Sequence, residues 1–313
     1  MNNLNFENFP ENEAEFDARF GSEEACYGYL FELRWPEGFH CPRCGHTGYW
    51  LSARGLCICS SCEYNQSVTA GTILHGTKKP LKLWFKAMWW VMTRKNGVSA
   101  ASLQALGLGS YKTAWRWLQK LRACMVCKDR AKLSGIVEAD EFYIGGETSG
   151  KRGRGAEHKC AVAIAVEKDG KKLGRVRLQV IESCSSGELI PFVRANIEPG
   201  SIVITDGWAG YKSIGVEGYA HQQQVKCKEQ DNDSVLPGAH LVISLVKRLI
   251  LGTFQGRFEK RYLQRYLDEY TFRFNRRRTK HVGKRFWRLV QQVANSSKLI
   301  NTALVPVNPA LAN

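Results

Sequence analysis

Four cysteines in two C-x2-C pairs limit the possible folds of this chain more strongly than any other pattern in its sequence. The first pair is Cys41 and Cys44, and the second is Cys59 and Cys62. Each C-x2-C turn directs two sulfur atoms to one point, so that two such turns can bind one Zn²⁺ tetrahedrally. Four protein ligands leave no open position for a substrate, and the metal is therefore structural. The pattern predicts a zinc ribbon.

Other cysteines and one histidine near the pairs are weaker candidate ligands. Cys57 could replace Cys59 only by breaking the second C-x2-C turn, so we interpret it as a strand residue, and His46 is a less suitable substitute. The chain has eleven cysteines, an odd number, and those outside the cluster have no spacing typical of a disulfide framework. This usage predicts a reduced compartment and a cytoplasmic protein.

The net charge indicates a polyanionic partner. Lys and Arg together number 45 against 29 Asp and Glu, which gives a formal net charge of +16. A positive field of this size attracts nucleic acid or an anionic membrane surface. No apolar run approaches the roughly 20 residues of a membrane span, and the acidic N-terminus has no signal-peptide pattern. We therefore expect nucleic acid as the partner and no membrane.

Residues 80–128 have the helical periodicity of a small helix-turn-helix domain. Lys112, Arg116 and Lys120 share a polar face of the third helix, as in helices that contact phosphates and base edges in the major groove. An ordinary three-helix packing unit with a solvated face would have the same pattern, and this alternative stays open. The three predicted helices cover residues 81–93, 99–106 and 110–122, and Ser110 is the predicted cap of the third.

Apolar, β-branched runs predict four strands of an α/β domain, at residues 134–141, 158–166, 176–181 and 201–206. One strand carries Glu138, Asp140 and Glu141, and a second, buried strand ends at Asp206. Glu138 and Asp140 share one face of their strand, because side chains alternate, and Glu141 points elsewhere. Two strands that each end in an aspartate can place two carboxylates side by side for divalent-metal phosphoryl transfer. Acids that merely cap strands or turns are the alternative.

The order of these motifs resembles that of the zinc-ribbon-bearing DDE transposases of bacterial insertion sequences. The most specific segments are Asp-Glu-Phe-Tyr-Ile-Gly-Gly at 140–146 and Phe-Arg-Phe-Asn-Arg-Arg at 272–277. The resemblance implies an α/β chain whose ribonuclease H-like catalytic domain is preceded by a zinc ribbon and a small helix-turn-helix domain. It also implies that Asp140 and Asp206 bind catalytic Mg²⁺ or Mn²⁺. The implied reaction is cleavage of the element ends by water, followed by attack of the freed 3′-hydroxyl on target DNA.

The third catalytic position departs from the acidic pattern of that family. His240 precedes Lys247 by seven residues, and the resemblance implies a Glu at the position of His240. It assigns His240 to the metal or to proton handling, and Lys247 to the DNA at the reacting phosphate. A neutral imidazole can bind a metal, but it adds no negative charge and favours softer ions than Mg²⁺. Three alternatives follow: Mn²⁺ is preferred, another acid (Glu138, Glu141 or Asp233) helps, or activity is impaired.

Basic residues are concentrated in the helical region that follows. Between residues 247 and 288 there are fourteen Lys or Arg and three acids, which favours a phosphate-binding surface over a salt-bridged face. Arg248, Arg276 and Arg277 are the predicted DNA contacts of this region. Its interleaved tyrosines at 262, 266 and 270 have the spacing of a packing stripe.

These patterns predict a transposase that recognises the terminal inverted repeats of its element and joins them to target DNA. We expect a homo-oligomer on DNA, because two ends must be joined to one target. A catalytically impaired, DNA-binding regulator and a nuclease that cuts without joining are the alternatives. The predicted segments are an acidic helical segment (1–36), the zinc ribbon (37–76), the helix-turn-helix domain (80–128), the catalytic domain (132–295) and a tail (296–313).

Overall fold

The computed structural model describes residues 9–127, 130–145, 159–224, 235–256 and 258–296. The chain divides into two compact units, one of residues 1–125 with 279–313 and the other of residues 126–278. Helices and sheets occur together, so the predicted mixed α/β class is confirmed. No helix of the described ranges is long and apolar enough to cross a membrane.

The helices and strands that the structure describes have the following bounds. In chain order they are α1 (Glu13–Phe20), α2 (Glu23–Arg34), β1 (Tyr49–Leu51), β2 (Leu56–Cys59), β3 (Asn65–Ser67), α3 (Leu81–Thr93), α4 (Ala100–Gln104), α5 (Tyr111–Cys124), β4 (Ile136–Ile144), β5 (Cys160–Asp169), β6 (Lys172–Ile181), α6 (Ser186–Asn196), β7 (Ile202–Thr205), two 3₁₀ turns (Ala209–Tyr211 and Ile214–Glu217), β8 (Ala220–Gln223), α7 (Pro237–Arg248), a π-helical turn (Leu249–Thr253), α8 (Lys260–Asn275) and α9 (Val282–Ala294).

Side-chain caps define the starts of several helices in the first unit. The Ser110 hydroxyl accepts a hydrogen bond from the Thr113 N–H at the start of α5, as the sequence predicted. Helix α3 starts after Pro80 and has no cap of this kind. Instead, the Glu23 carboxylate of α2 accepts from the N–H groups of Leu81 and Lys82 at 2.6 and 3.0 Å. The start of α3 therefore depends on a residue far away in sequence.

The helices predicted within residues 80–128 are present. The Trp84 ring of α3 stacks on the Trp117 ring of α5, with a centroid separation of 3.4 Å and an interplanar angle of 10°. Both side chains are buried, and α4 packs against α5. Stacked indoles bury a large apolar area and fix the two helices against each other.

Helix α9 belongs to the first unit, although the sequence-based boundaries placed residues 132–295 in one catalytic domain. Its Phe286 ring lies 5.4–5.8 Å from the ring centroids of four aromatic residues on α1 and α3. Basic, helical character continues from α8 into α9, so no local signal marks the return of the chain. The four aromatic partners are Phe16, Phe20, Phe85 and Trp89.

The second unit is built on a five-stranded sheet in the order β6-β5-β4-β7-β8. Strand β5 is antiparallel to β4 and β6, whereas β7 is parallel to β4 and β8. Helix α6 packs against one face of the sheet, and α7 and α8 pack against the other. The sequence predicted four of these strands. It missed β8, whose residues Ala-His-Gln-Gln have no apolar alternation and are ordered by pairing with β7.

Two side-chain amides of α8 complete the hydrogen bonding of the edge strand β6. Asn275 accepts from the Val176 N–H at 2.7 Å and donates to the Val176 carbonyl at 3.1 Å. Gln264 likewise accepts from the Val180 N–H at 2.8 Å and donates to the Leu178 carbonyl at 3.1 Å. An unpaired edge would present these groups to other strands, so α8 protects the sheet.

We expect Asn275→Ala to lower the free energy of unfolding of the second unit by about 1–3 kcal/mol, because the buried Val176 N–H loses its acceptor. Urea denaturation of the full chain measures this change. Gln222→Ala, on the exposed surface of β8, is the control and should stay within about 0.5 kcal/mol of the parent. Equal effects of the two substitutions would contradict the edge-pairing role.

Candidate functional site

The four cysteines of the two C-x2-C turns converge as predicted. Their sulfur atoms all lie within 4.8 Å of one another. The Cys41–Cys62 and Cys44–Cys59 sulfur distances are both 3.6 Å. Sulfur atoms bound at about 2.3 Å to a tetrahedral zinc lie about 3.8 Å apart. The cluster therefore fits structural Zn²⁺.

Local backbone geometry prepares this cluster. Each C-x2-C turn ends in a residue with a left-handed backbone, Gly45 (φ +75°) and Glu63 (φ +56°). Their N–H groups donate to the carbonyls of Cys41 and Cys59 at 2.8 and 3.0 Å. Although burial acts in the opposite direction, N–H groups within the first turn lower the pKa of Cys41 to about 7. A turn that favours the thiolate reduces the proton cost of binding zinc.

The two weaker candidate ligands lie outside the cluster. Cys57 is completely buried in β2, and its sulfur atom lies 3.5 Å from the Tyr27 hydroxyl. It pairs with Leu51 of β1, so its interpretation as a strand residue is confirmed. The His46 Nε2 lies 3.0 Å from the Ser60 hydroxyl.

We expect Cys59→Ala to lose the metal and Cys57→Ala to retain about one Zn²⁺ per chain, because only Cys59 contributes to the tetrahedral set. Elemental analysis of the purified variants measures the zinc content. Loss of zinc from Cys57→Ala alone would show that the ligands have been misassigned.

The acids of β4 lie on its two faces, as strand alternation predicted. On one face Asp140 is only 8% exposed, and its Oδ2 lies 3.3 Å from the Nε2 of His240 on α7. Glu141 is on the other face, towards Tyr211. The strand therefore separates two carboxylates that are adjacent in sequence.

Asp206 follows the last residue of β7, as predicted, whereas Asp140 lies within β4, which does not end at the acids but continues to Ile144. The parallel register pairs Glu138 with Ile204, and its continuation by two residues aligns Asp140 with Asp206. The Asp206 Oδ1 accepts from the Trp208 N–H at 2.9 Å, which orients this carboxylate. Among the described residues, only the four cysteines form a set of three or more candidate ligands whose atoms all lie within 4.8 Å of one another. The ligand atoms of Asp140, Asp206 and His240 are therefore farther apart than those of the zinc cluster. Ligands of two ions about 3.5–4 Å apart also span a wider site than ligands of one.

Tyr211 is a residue of this site that the sequence analysis did not select. Its side chain is completely buried. Burial and the negative charges of Glu141, Asp140 and Asp206 raise the pKa of Tyr211 well above its usual value, so the hydroxyl stays protonated. The signal available in sequence is weak: Tyr211 ends a short 3₁₀ turn five residues after Asp206.

Glu138 is 3% exposed, and both of its carboxylate oxygens have partners. Oε2 accepts from the Ala239 N–H of α7 at 2.8 Å, and Oε1 lies 2.9 Å from the Lys168 Nζ. These contacts favour a structural role over the additional metal ligand considered from sequence. Of the other two helper acids, Glu141 faces away from His240, and Asp233 lies outside the described residues.

Helix α7 presents His240, Lys247 and Arg248 on its exposed side. Lys247 lies seven residues, or two turns, after His240, and its Nζ is 5.9 Å from the centroid of the Phe142 ring. The helix thus places the Lys247 ammonium group near the end of β4. Its opposite face packs into the core through Ala239, Val242, Ile243 and Val246.

The predicted DNA-binding face of α5 is only partly available. Lys112 and Arg116 are exposed. Lys120 is half-buried, and its Nζ donates to the Ile73 carbonyl at 3.2 Å. Burial, followed by the charge of Arg116, lowers the pKa of Lys120. The structure therefore places Lys120 in the packing of the first unit.

Arg276 and Arg277, predicted as DNA contacts, are held by groups of the second unit. The Arg276 guanidinium lies 3.9 Å from the centroid of the Phe272 ring and donates to the Phe272 carbonyl. Arg277 lies 3.8 Å from the centroid of the Phe274 ring and donates to the Gly174 carbonyl of β6 at 3.1 Å. The Arg277 contact with Gly174 joins the end of α8 to β6, whereas both contacts of Arg276 lie within α8.

Comparison with known proteins yields two domain families. Residues 132–275 match the ISXO2-like transposase domain, and residues 21–65 match the transposase zinc-ribbon domain. An uncharacterized protein in transposable element ISH50 of Halobacterium salinarum is 29% identical over 219 residues, which cover 62% of this chain and 71% of that protein.

Among solved structures, the pre-cleavage Mos1 transpososome matches 70% of this chain and 78% of its own, with a TM-score of 0.27 and 13% identity. The match to the Mos1 strand transfer complex covers 70% of this chain and 77% of that chain, with a TM-score of 0.27 and 14% identity. The family assignment rests on the two sequence families. The transposase domain implies catalytic Mg²⁺ or Mn²⁺, and the zinc-ribbon domain with its four cysteines fits structural Zn²⁺. The chain therefore contains a transposase zinc ribbon followed by a DDE transposase domain of the insertion-sequence type.

Proposed function

We propose that the protein cleaves DNA at the ends of an insertion sequence and joins the freed 3′-hydroxyl to target DNA. The observation that carries this proposal is the parallel β4–β7 register, whose continuation by two residues aligns Asp140 with Asp206. His240 lies 3.3 Å from Asp140. The strand order and the mixture of parallel and antiparallel pairs support a ribonuclease H-like catalytic domain.

The donor set of this site suits a divalent metal. Bound Mg²⁺ or Mn²⁺ stabilises negative charge on the attacking and leaving oxygens of a phosphoryl transfer. Asp140 and Asp206 offer hard carboxylate oxygens, and the N–H of Trp208 orients one of them. His240 offers a neutral nitrogen, which favours Mn²⁺ over Mg²⁺. Lys247, on the same side of α7, holds the DNA phosphate beside the carboxylates.

The first unit recognises the terminal inverted repeats in this proposal. The zinc ribbon and a helix-turn-helix formed by α3, α4 and α5 supply the recognition surface. The exposed Lys112 and Arg116 of α5 support it, because they are one helical turn apart and face solvent. Assembly as a homo-oligomer on DNA and a cytoplasmic location stay predictions from the sequence.

We expect Arg116→Ala to weaken binding to the element's own ends and to reduce the slope of log affinity against log salt by about 1, because one phosphate contact is lost. Fluorescence anisotropy with labelled end DNA at several salt concentrations measures both quantities. Lys120→Met is the control within the same helix, since Lys120 donates to a protein carbonyl. An unchanged salt slope for Arg116→Ala would contradict the proposed contact.

We expect strand transfer with Mn²⁺ to exceed that with Mg²⁺, and Asp140→Asn to abolish both by removing a charged metal ligand. His240→Glu should raise the Mg²⁺-supported rate relative to the Mn²⁺-supported rate, because it restores a hard, negative ligand. The assay uses purified protein and DNA that carries the flanking ends of the element. Glu182→Gln, an exposed acid of the same unit, is the control.

The same assay separates the alternatives. Specific end binding without cleavage in either metal would favour the regulator, for which the substitution of a carboxylate by His240 is the best argument. Cleavage that never yields joined product would favour a nuclease.

A further inference from the structure

We propose that Glu138 is a positioning residue: it fixes the first turn of α7 and thereby sets His240 against Asp140. The effect on metal binding rests on the function proposed above, whereas the effect on the helix start does not. Neither the domain matches nor the residue pattern assigns this role to Glu138.

Helix α7 has no local cap. Its N-cap residue is Leu236, which offers no side-chain acceptor, and its first residue is Pro237. The N–H groups of a first helical turn lack partners within the helix, so they need an acceptor from elsewhere. Glu138 supplies it, since its Oε2 accepts from the Ala239 N–H at 2.8 Å. A carboxylate at this position also interacts favourably with the helix dipole.

The first turn of α7 has a glycine, Gly238, where the Glu138 carboxylate approaches the helix. A Cβ on Gly238 would lie 2.8 Å from the Glu138 Oε2 and 2.8 Å from the Leu173 side chain. Any residue other than glycine would therefore displace the acceptor or the helix. The close approach of Glu138 accounts for a glycine inside the first turn.

Lys168 of β5 fixes the other half of the carboxylate. Its Nζ lies 2.9 Å from the Glu138 Oε1, and the Glu138 side chain is 4% exposed. A carboxylate buried to this extent needs such a partner, because an unpaired charge in this environment is costly. The ion pair holds the Glu138 side chain in one orientation.

Two consecutive contacts then connect β4 to α7. Glu138 contacts Ala239, and Asp140, two residues along the same strand face, lies 3.3 Å from His240. The apolar packing of α7 against the sheet is non-directional, so by itself it tolerates small shifts and rotations of the helix. The two polar contacts together fix the position of α7 along β4 and its rotation about its own axis. Glu138 thereby determines the position of the His240 imidazole relative to Asp140.

A double-mutant cycle between Glu138 and His240 tests this role. Isothermal titration with Mn²⁺ gives metal affinity, and the strand-transfer assay gives the rate, for Glu138→Ala, His240→Ala and the double variant. Residues that orient a metal ligand typically change affinity or activity by about 10- to 100-fold. We expect Glu138→Ala to lower Mn²⁺ affinity at least about tenfold in the parent and less than about twofold in the His240→Ala background.

Two further variants separate positioning from a loss of stability. Glu138→Gln keeps an acceptor for the Ala239 N–H, and we expect it to recover most of the affinity. Glu167→Ala is the matched control, because Glu167 also accepts from a backbone N–H, that of Ser134, and pairs with one basic residue, Arg175. It should lower thermal stability without changing Mn²⁺ affinity.

Hydrogen exchange of the full chain without metal gives a readout that does not depend on activity. The Ala239 and His240 amides should exchange faster in Glu138→Ala and at the parent rate in Glu167→Ala. Equal losses of affinity in both backgrounds of the cycle, or unchanged exchange at α7, would overturn the proposal. If the parent protein neither binds Mn²⁺ nor joins DNA, the proposed function fails, and the exchange result alone decides the positioning role.

Discussion

The parallel pairing of β4 with β7 is the contact from which the candidate catalytic site follows. It aligns Asp140 with Asp206, which lie 66 positions apart in the sequence. Strand β4 is also the central strand of the sheet, so its two faces are packed by different helices. Asp140 points to the side of α7, and Glu141 to the side of Tyr211. One strand therefore positions the proposed metal ligand Asp140, the Glu138 that contacts the start of α7, and the Glu141 that faces the buried tyrosine.

A second feature recurs in both units. Helices α3 and α7 both begin at a proline and have no side-chain cap of their own. A glutamate from another element caps each of them: Glu23 accepts from the start of α3, and Glu138 from the start of α7. The N–H groups in the first turn of these helices gain a protein acceptor only when the tertiary contact forms. Their starting points are thereby coupled to the packing of the unit that contains them.

Several basic residues that the sequence assigned to DNA binding make contacts within the protein instead. The fourteen basic residues from Lys247 to Arg288 favoured one continuous phosphate surface. In the structure Arg277 joins α8 to β6, Arg276 contacts Phe272 of its own helix, and Lys120 of α5 packs within the first unit. A guanidinium group can donate hydrogen bonds to protein carbonyls as well as to phosphates. The spacing of arginines in the sequence does not distinguish the two uses. Exposed positions such as Lys112, Arg116, Lys247 and Arg248 are the better candidates for DNA contacts.

Patterns that act over a few residues were readable from the sequence. The C-x2-C turns predicted the zinc cluster, Ser110 predicted the start of α5, and strand alternation separated Glu138 and Asp140 from Glu141. The tertiary structure decided the contacts between segments far apart in the chain: the pairing of β8, the return of α9 to the first unit, and the contact of Glu138 with Ala239. The physical reason is that turn geometry and side-chain periodicity are set by covalent spacing. The partner of a buried carboxylate is set by which distant backbone groups are left without acceptors when the core closes.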